Sequence, residues 1–337
     1  MNSNLDWSKI TTLYVSQYQR TSAGNFLGYL LGPSQTLSNV AFTNGIANAI
    51  NASLSAGPSA FLALNVSGSA WAALASSAGP GTPVPTFSDY SAFVQPYVVD
   101  RIALPPSGFS PGPDLTLIRP AAPTTNPIPF PTTYACELSV GIANGPTPPN
   151  FGVPPITADT DYGTLSYNDP YSSNWLRMFQ YCQVSAVTVP RPNSTVSDTF
   201  YVTNKQTTAL PSAPVAPILS PVQSPMLNGA SLFTSATLSS TNVTISWNPP
   251  AIGQPYGYVV EVRQLVTLSN GATGYAAAGT YSTAKTSLTV PFISPSSTYV
   301  FAILAASDAS ASIEKSPLRH KIPFAEAAVV SAPFVIQ

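Results

Sequence analysis

Chemistry needs reactive side chains brought close together, and the segment "ADTDYGTLSYNDPYSSNW", Ala158 to Trp175, is where this chain gathers most of them. Asp159, Asp161 and Asp169 offer carboxylate oxygens of the kind that hold calcium, while Tyr162, Tyr167, Tyr171 and Trp175 offer flat faces on which a sugar ring stacks. A loop in which Asp caps turns and aromatic rings cover a sheet edge has the same composition. The spacing excludes the helix-loop-helix calcium site, because the twelfth position counted from Asp159 is Pro170, where that site needs Glu.

Other chemistries are poorly supplied. His320 is the sole histidine, which rules out multi-histidine metal centres and leaves a histidine-based triad without a serine motif beside it. "SIEK", Ser312 to Lys315, has the S-x-x-K spacing of serine acyl-transfer enzymes, but it falls in a loop and its usual partner motifs are absent. Glycoside hydrolysis needs two carboxylates facing across a cleft, and nothing marks such a pair among 13 acidic residues. The expectation is a non-catalytic protein with no cofactor and no dedicated metal site.

Cys136 and Cys182 are the only cysteines, each inside a strand-like run, "TTYACELSVGI" and "MFQYCQVSAVTV". Joined across sheets they would contribute about 4 kcal/mol in the chain-entropy model. Two buried free thiols fit the sequence equally well, since cysteine is among the most buried residue types.

Composition sets the class of molecule that must position these residues. Charged residues make up 7% of the chain, against roughly 25% in an average soluble protein, so its surface must be unusually neutral. The 12 basic and 13 acidic residues are scattered singly, with no run that follows a phosphate backbone or an anionic membrane, which argues against nucleic acid. No stretch of 18 apolar residues escapes interruption by Pro, Ser, Thr or Asn, so membrane insertion by a helix is not expected. With 44% apolar residues and a net charge of −1 the chain should fold rather than remain disordered. The first twenty residues lack the pattern of a signal peptide.

Along the chain, period-2 alternation dominates and points to a mainly β protein of antiparallel sandwiches. Residues 1–206 read as a β-rich N-terminal domain, with strands in "ITTLYVSQYQ", "FVQPYVVDRIAL", "DLTLIRP", "TTYACELSV", "FQYCQVSAVTV" and "DTFYVTN". A helical insertion is expected near 34–75: apolar residues between Ser34 and Leu54 recur with a helical stripe behind a Ser N-cap, and Ser59 to Ala75 suits helix or strand. Residues 207–225 carry five prolines between Thr207 and Pro225 and read as a semi-rigid linker running into an edge strand.

Residues 226–337 read as a second sandwich, with strands in "VTISWNPP", "YVVEVRQL", "TSLTVP" and "STYVFAILAAS". Ile293, Pro295, Thr298 and Tyr299, followed by alternating Phe301 and Ile303, have the spacing of a turn pinned by a tyrosine. With Trp247 before Pro249 and Pro250, with Tyr258 in "YVVEV", and with Leu288, this part resembles the fibronectin type III family. The resemblance implies an immunoglobulin-like sandwich in which Trp247, Tyr258 and Leu288 are core positions and the Tyr299 hydroxyl bonds back to the preceding loop. The connection Leu268 to Lys285 departs from the family and is expected to form a hairpin around Asn270-Gly271.

A neutral β surface lowers the desolvation cost of packing protein on protein. The leading expectation is therefore an extracellular or cell-surface structural or adhesive protein, a homo-oligomer or filament, in which "LDWSKITTLYVSQYQ" either completes a neighbour's sheet or pairs within its own domain. The alternative is a carbohydrate-binding accessory protein that takes glycans on the Tyr162 to Trp175 aromatics.

Overall fold

A computed structural model describes residues 12–23, 26–39, 41, 43, 49, 51–55, 59–96, 101–103, 113–118, 135–143, 157–168, 175–208, 214–269, 271–291, 294–308 and 324–337. In the N-terminal region the strands are β1 (Thr12–Ala23), β2 (Phe26–Ser38), β3 (Ser59–Val66), β4 (Val84–Pro96), β5 (Arg101–Ala103), β6 (Pro113–Ile118), β7 (Ala135–Ala143), β8 (Thr160–Asn168), β9 (Trp175–Pro190) and β10 (Ser197–Thr208). One helix, α1 (Gly68–Ala75), follows β3. The C-terminal region holds β11 (Gln223–Leu227), β12 (Ala230–Ser231), β13 (Ala236–Leu238), β14 (Val243–Asn248), β15 (Gly257–Thr267), β16 (Thr273–Thr283), β17 (Ser287–Val290), β18 (Ser297–Ser307), β19 (Phe324–Val330) and β20 (Phe334–Ile336). The mainly β, antiparallel expectation is met.

The C-terminal sandwich closes as its alternation requires. One layer runs β12-β11-β14-β17, and the other places β15 and β16 on one side of β18 and β19 and β20 on the other. Val243, Ile245 and Trp247 on β14 face Tyr258, Val260 and Val262 on β15 and Tyr299, Phe301 and Ile303 on β18, all buried in one core that also takes Val290, with Leu288 packed against it. Trp247 meets Tyr258 edge-on at 5.1 Å between ring centroids, a geometry that adds to their apolar burial. The expected hairpin is present: β15 and β16 pair from Tyr258↔Thr283 to Thr267↔Thr273, and Gly271 takes the positive φ of 79° that its turn needs.

Prolines sit where the ladder is already irregular. Pro225 falls between Gln223 and Met226, where the register of β11 on β14 shifts, and Pro85 falls at the shift between β4 and β9. β11 is flanked by β12 and β14, so it is not the bare edge strand that its prolines suggest. The preceding stretch is docked rather than free. Val215 is 3% exposed, accepts from the Ser67 amide, donates to the Asn65 carbonyl and takes the Trp71 indole N–H on its carbonyl. Gln206 holds the same stretch by donating to the Ala216 carbonyl and accepting from the Ile218 amide.

Among the described residues the N-terminal region does not form a separate closed sandwich. Asn204 to Thr207 of β10 pair with Ala327 to Phe324 of β19, so one sheet of 14 strands among the described residues runs from β16 through β15, β18 and β19 into β10, β9, β4, β7, β2, β1, β6 and β5. Over its N-terminal part lie the β3-β8 pair and α1, with Trp71 against Tyr181 at 6.2 Å. A junction core of Ala78, Val187, Val189, Val202, Val300 and Val330 joins the two regions.

One expectation needs correction here and two open alternatives are resolved, while residues 40, 42, 44–48 and 50 of the expected helix lie outside the described residues. The helix read from Ser34 onward is not made over Ser34–Ser38, which form the end of β2, because Ser34 and Leu37 pair with Ser16 and Leu13 of β1 and satisfy the backbone as strand. Ser59–Ala75 divides into β3 and α1. Residues 12–23 of the proposed donor segment pair within their own sheet, between β2 and β6.

Cys182 lies opposite Asp89 and Cys136 opposite Phe93, on the two strands that flank β4. They are thus not on neighbouring strands. Two strand spacings and four residues of rise put their Cα atoms about 16 Å apart, beyond the roughly 7 Å a disulfide spans, so this register offers no bridge.

Candidate functional site

The residues first suspected of chemistry are dispersed by the fold. Asp159 is exposed and its Oδ1 accepts from the Ser69 amide at 3.2 Å and the Ser69 hydroxyl at 2.6 Å, which ties β8 to the first turn of α1 and holds the carboxyl below its usual range. Asp161 accepts from the Gly163 amide at 2.8 Å and closes a turn in which Gly163 has φ 69°. Asp161 thus serves local backbone, as a turn-capping Asp does, whereas Asp159 reaches a helix 90 residues away in sequence. Asp169 and Tyr171 lie outside the described residues, and Trp175 opens β9 opposite Pro96.

The two described tyrosines of the supposed sugar platform are turned inward. β8 carries one residue more than β3 between Asp161 and Thr164, a bulge that shifts side-chain parity. Tyr162 is half-buried, with burial pushing its phenol up to about 12, and Tyr167 is buried at 9% exposure. Among the described residues no group of three or more His, Cys, Asp or Glu stands ready for a metal ion. His320 and Ser312–Lys315 lie outside the described residues.

A concave surface lies elsewhere, where the sheet changes direction. Beyond Asn204 toward its start, β10 leaves β19, and the β9-β10 hairpin crosses the outer face of the C-terminal sheet. Phe200 reaches Tyr275 of β16 at 5.3 Å, and the Arg263 guanidinium of β15 sits 5.9 Å from the Phe200 ring. At the hairpin tip Arg191 makes a two-toothed ion pair with Asp198, Nε to Oδ2 and Nη2 to Oδ1, both at 2.6 Å. The same guanidinium donates to the Thr273 hydroxyl and, from Nη2, to the Thr273 carbonyl at 3.2 Å. Asp198 raises the Arg191 pKa further above its ordinary value.

Between hairpin and sheet is a groove of about 500 Å³. Its floor includes Ala302, Leu304 and Ala328, and Tyr201, 67% exposed, stands on the hairpin side. Asp198, Glu261, Arg263 and Glu326 all line it, a concentration of charge in a chain that has so little. Glu261 is bound by Arg263, Oε2 to Nη2 at 2.7 Å, a half-exposed pair worth little by itself. Tyr275 also lines the groove, and burial pushes its phenol up to about 12. Small apolar residues with a few oriented polar groups at the meeting of two regions are what a binding cleft requires. Nothing in it resembles a nucleophile with its base.

The groove is invisible in sequence because it depends on β10 meeting β19 from the far end of the chain. Its one local signal is the charge pattern of "VVEVRQL", where Glu261 and Arg263 alternate with the buried Val260 and Val262 and so must face outward.

The C-terminal geometry is completed by its corner. The Tyr299 hydroxyl donates to the Ser294 carbonyl at 3.0 Å, and Ser296 turns the chain with φ 57°. No curated protein matches the chain. The family model of the fibronectin type III domain matches residues 231–321, and the paired layers, the Trp247–Tyr258 contact and the tyrosine corner identify this part of the chain as a domain of that family.

Proposed function

We propose that the chain is a non-catalytic structural or adhesive subunit of the extracellular space or cell surface, which associates with copies of itself through neutral β surfaces as a fibre or surface-layer component. Fibronectin type III domains form a non-catalytic family whose members are commonly extracellular, and no helix among the described residues is long and apolar enough to cross a membrane.

The observation that carries the reading is the state of the sheet's edges. β16, "TGYAAAGTYST", is an outer strand of 11 residues with no charge and no proline, the two devices that most often keep strand edges apart. A bulge opposite Val262/Arg263 and the Arg191 guanidinium on the Thr273 carbonyl guard it only in part. The unbroken sheet and the junction core favour a stiff unit over two modules that swing independently.

The test is sedimentation of the full chain over a wide concentration range, in low and in molar salt. The expected result is concentration-dependent association that molar salt does not dissolve, because contacts between uncharged surfaces do not depend on long-range attraction. A monomer at every concentration overturns the reading, and a monomer that binds a glycan array would move the protein to the carbohydrate-binding class.

A further inference from the structure

β10 is paired on both sides only from Asn204 to Thr207. From Ser197 to Thr203 it keeps β9 on one side, and among the described residues no strand lies on the other. That open edge looks into the groove, so its outward N–H and C=O groups face the shelf formed by Ala302, Leu304 and Ala328. An extended segment laid along it would gain main-chain hydrogen bonds, and every second side chain would drop onto the shelf.

The shelf selects those side chains. Small residues leave room for one large apolar group, and the acids differ in what they still lack. Asp198 is bound by Arg191 and Glu261 by Arg263. Glu326 has no ion pair among the described residues, and Lys205, directly opposite it in register, places its Nζ over the Phe324 ring at 5.2 Å. The fitting segment therefore has a bulky apolar residue and a cation two positions apart, on one face of an extended chain.

Residues 1–11 of this sequence hold that pair as Trp7 and Lys9. They precede β1, which is five strand spacings from β10, about 24 Å along the sheet. Trp7 lies five residues before Thr12 and so reaches at most about 18 Å from it. Along this path the backbone of Trp7 stops about 6 Å short of β10, a limit that a neighbour's segment does not have.

We propose that residues 5–11 of a second copy add as a strand to the open edge of β10, with Trp7 on the apolar shelf and Lys9 against Glu326. This rests on the self-association reading and adds to its neutral contacts one ion pair, which molar salt weakens without dissolving the assembly. The experiment is a double-mutant cycle in the full chain, Lys9→Gln, Glu326→Gln and both, read as the dissociation constant by sedimentation equilibrium. Each single substitution is expected to weaken association about tenfold, and the double to be no weaker than about tenfold, because the two act through one contact. Trp7→Ala, which leaves the charges alone, should weaken it at least as much. Losses that multiply in the double variant, or singles that associate like the unmodified chain, overturn the proposal while leaving self-association standing. If the unmodified chain never associates, both readings fail.

Discussion

Removing one oxygen from Tyr299 tests the corner that anchors the C-terminal domain. The ring is 2% exposed and stacks at 5.8 Å on Phe334, so Tyr299→Phe leaves its packing intact and deletes only the bond to the Ser294 carbonyl. A buried carbonyl left unsatisfied would cost up to about 3 kcal/mol, but Ser294 is exposed and water can take the vacated position. The expected loss is then the net value of one hydrogen bond, about 1 kcal/mol. In a thermal scan this appears as a fall of about 2 to 8 °C, depending on how much of the chain unfolds together. The assay should use the full chain, since β19 belongs at once to the domain and to the sheet beyond it; urea midpoints at constant slope provide the free energy. Tyr299→Leu is the control, and should cost more because it also removes the stacked ring. A Tyr299→Phe variant indistinguishable from the unmodified chain would show that the hydroxyl does not hold the turn, and a loss above about 3 kcal/mol would show that the ring repacks.

Two other outcomes follow from the junction and from buried phenols. A Cβ on Gly79 would stand 2.4 Å from Cγ1 of Val187 and 3.0 Å from Cγ1 of Val330, so Gly79→Ala should destabilise by roughly 1 to 3 kcal/mol, with faster hydrogen exchange at Val330, whose amide donates to the Ala78 carbonyl. Tyr162, Tyr256 and Tyr275 are each pushed up to about 12 by burial, from an ordinary value of 10. Above pH 10 the unfolded chain releases these protons and the folded one does not, so stability is full below pH 10 and declines between 10 and 12; Tyr275→Phe should flatten that decline, measured as urea midpoints at pH 9 and 11.

What could be read in advance was what short-range pattern determines. The strands of the C-terminal domain announced themselves because Val243, Ile245 and Trp247, or Tyr299, Phe301 and Ile303, alternate with residues that face out, and the Tyr299 turn lies within a few residues of its partner. Several N-terminal strands are legible for the same reason, but β2, read at its end as helix, and β8, read as a loop, are not. Over Ser34–Ser38 the expected helix gives way to strand because apolar spacing in a short window fits two periods, and pairing with β1 decides between them. Tyr162 and Tyr167 were read as exposed because a sequence does not display a bulge, and one extra residue in β8 reverses which face a side chain takes. The groove was out of reach altogether, since the meeting of β10 with β19 joins segments with no local mark of each other.

That meeting also has a consequence for biosynthesis. A ribosome delivers β10 long before β19, and until Phe324 to Ala327 have emerged, the edge of β10 from Asn204 to Thr207 is as open as the part that stays open in the finished molecule. The nascent chain therefore presents a longer template for strand pairing than the folded protein does, and nearby nascent copies on one message would meet through it first. Emergence of β19 is the event that seals Asn204 to Thr207, so a product truncated before it would be released with the whole edge bare.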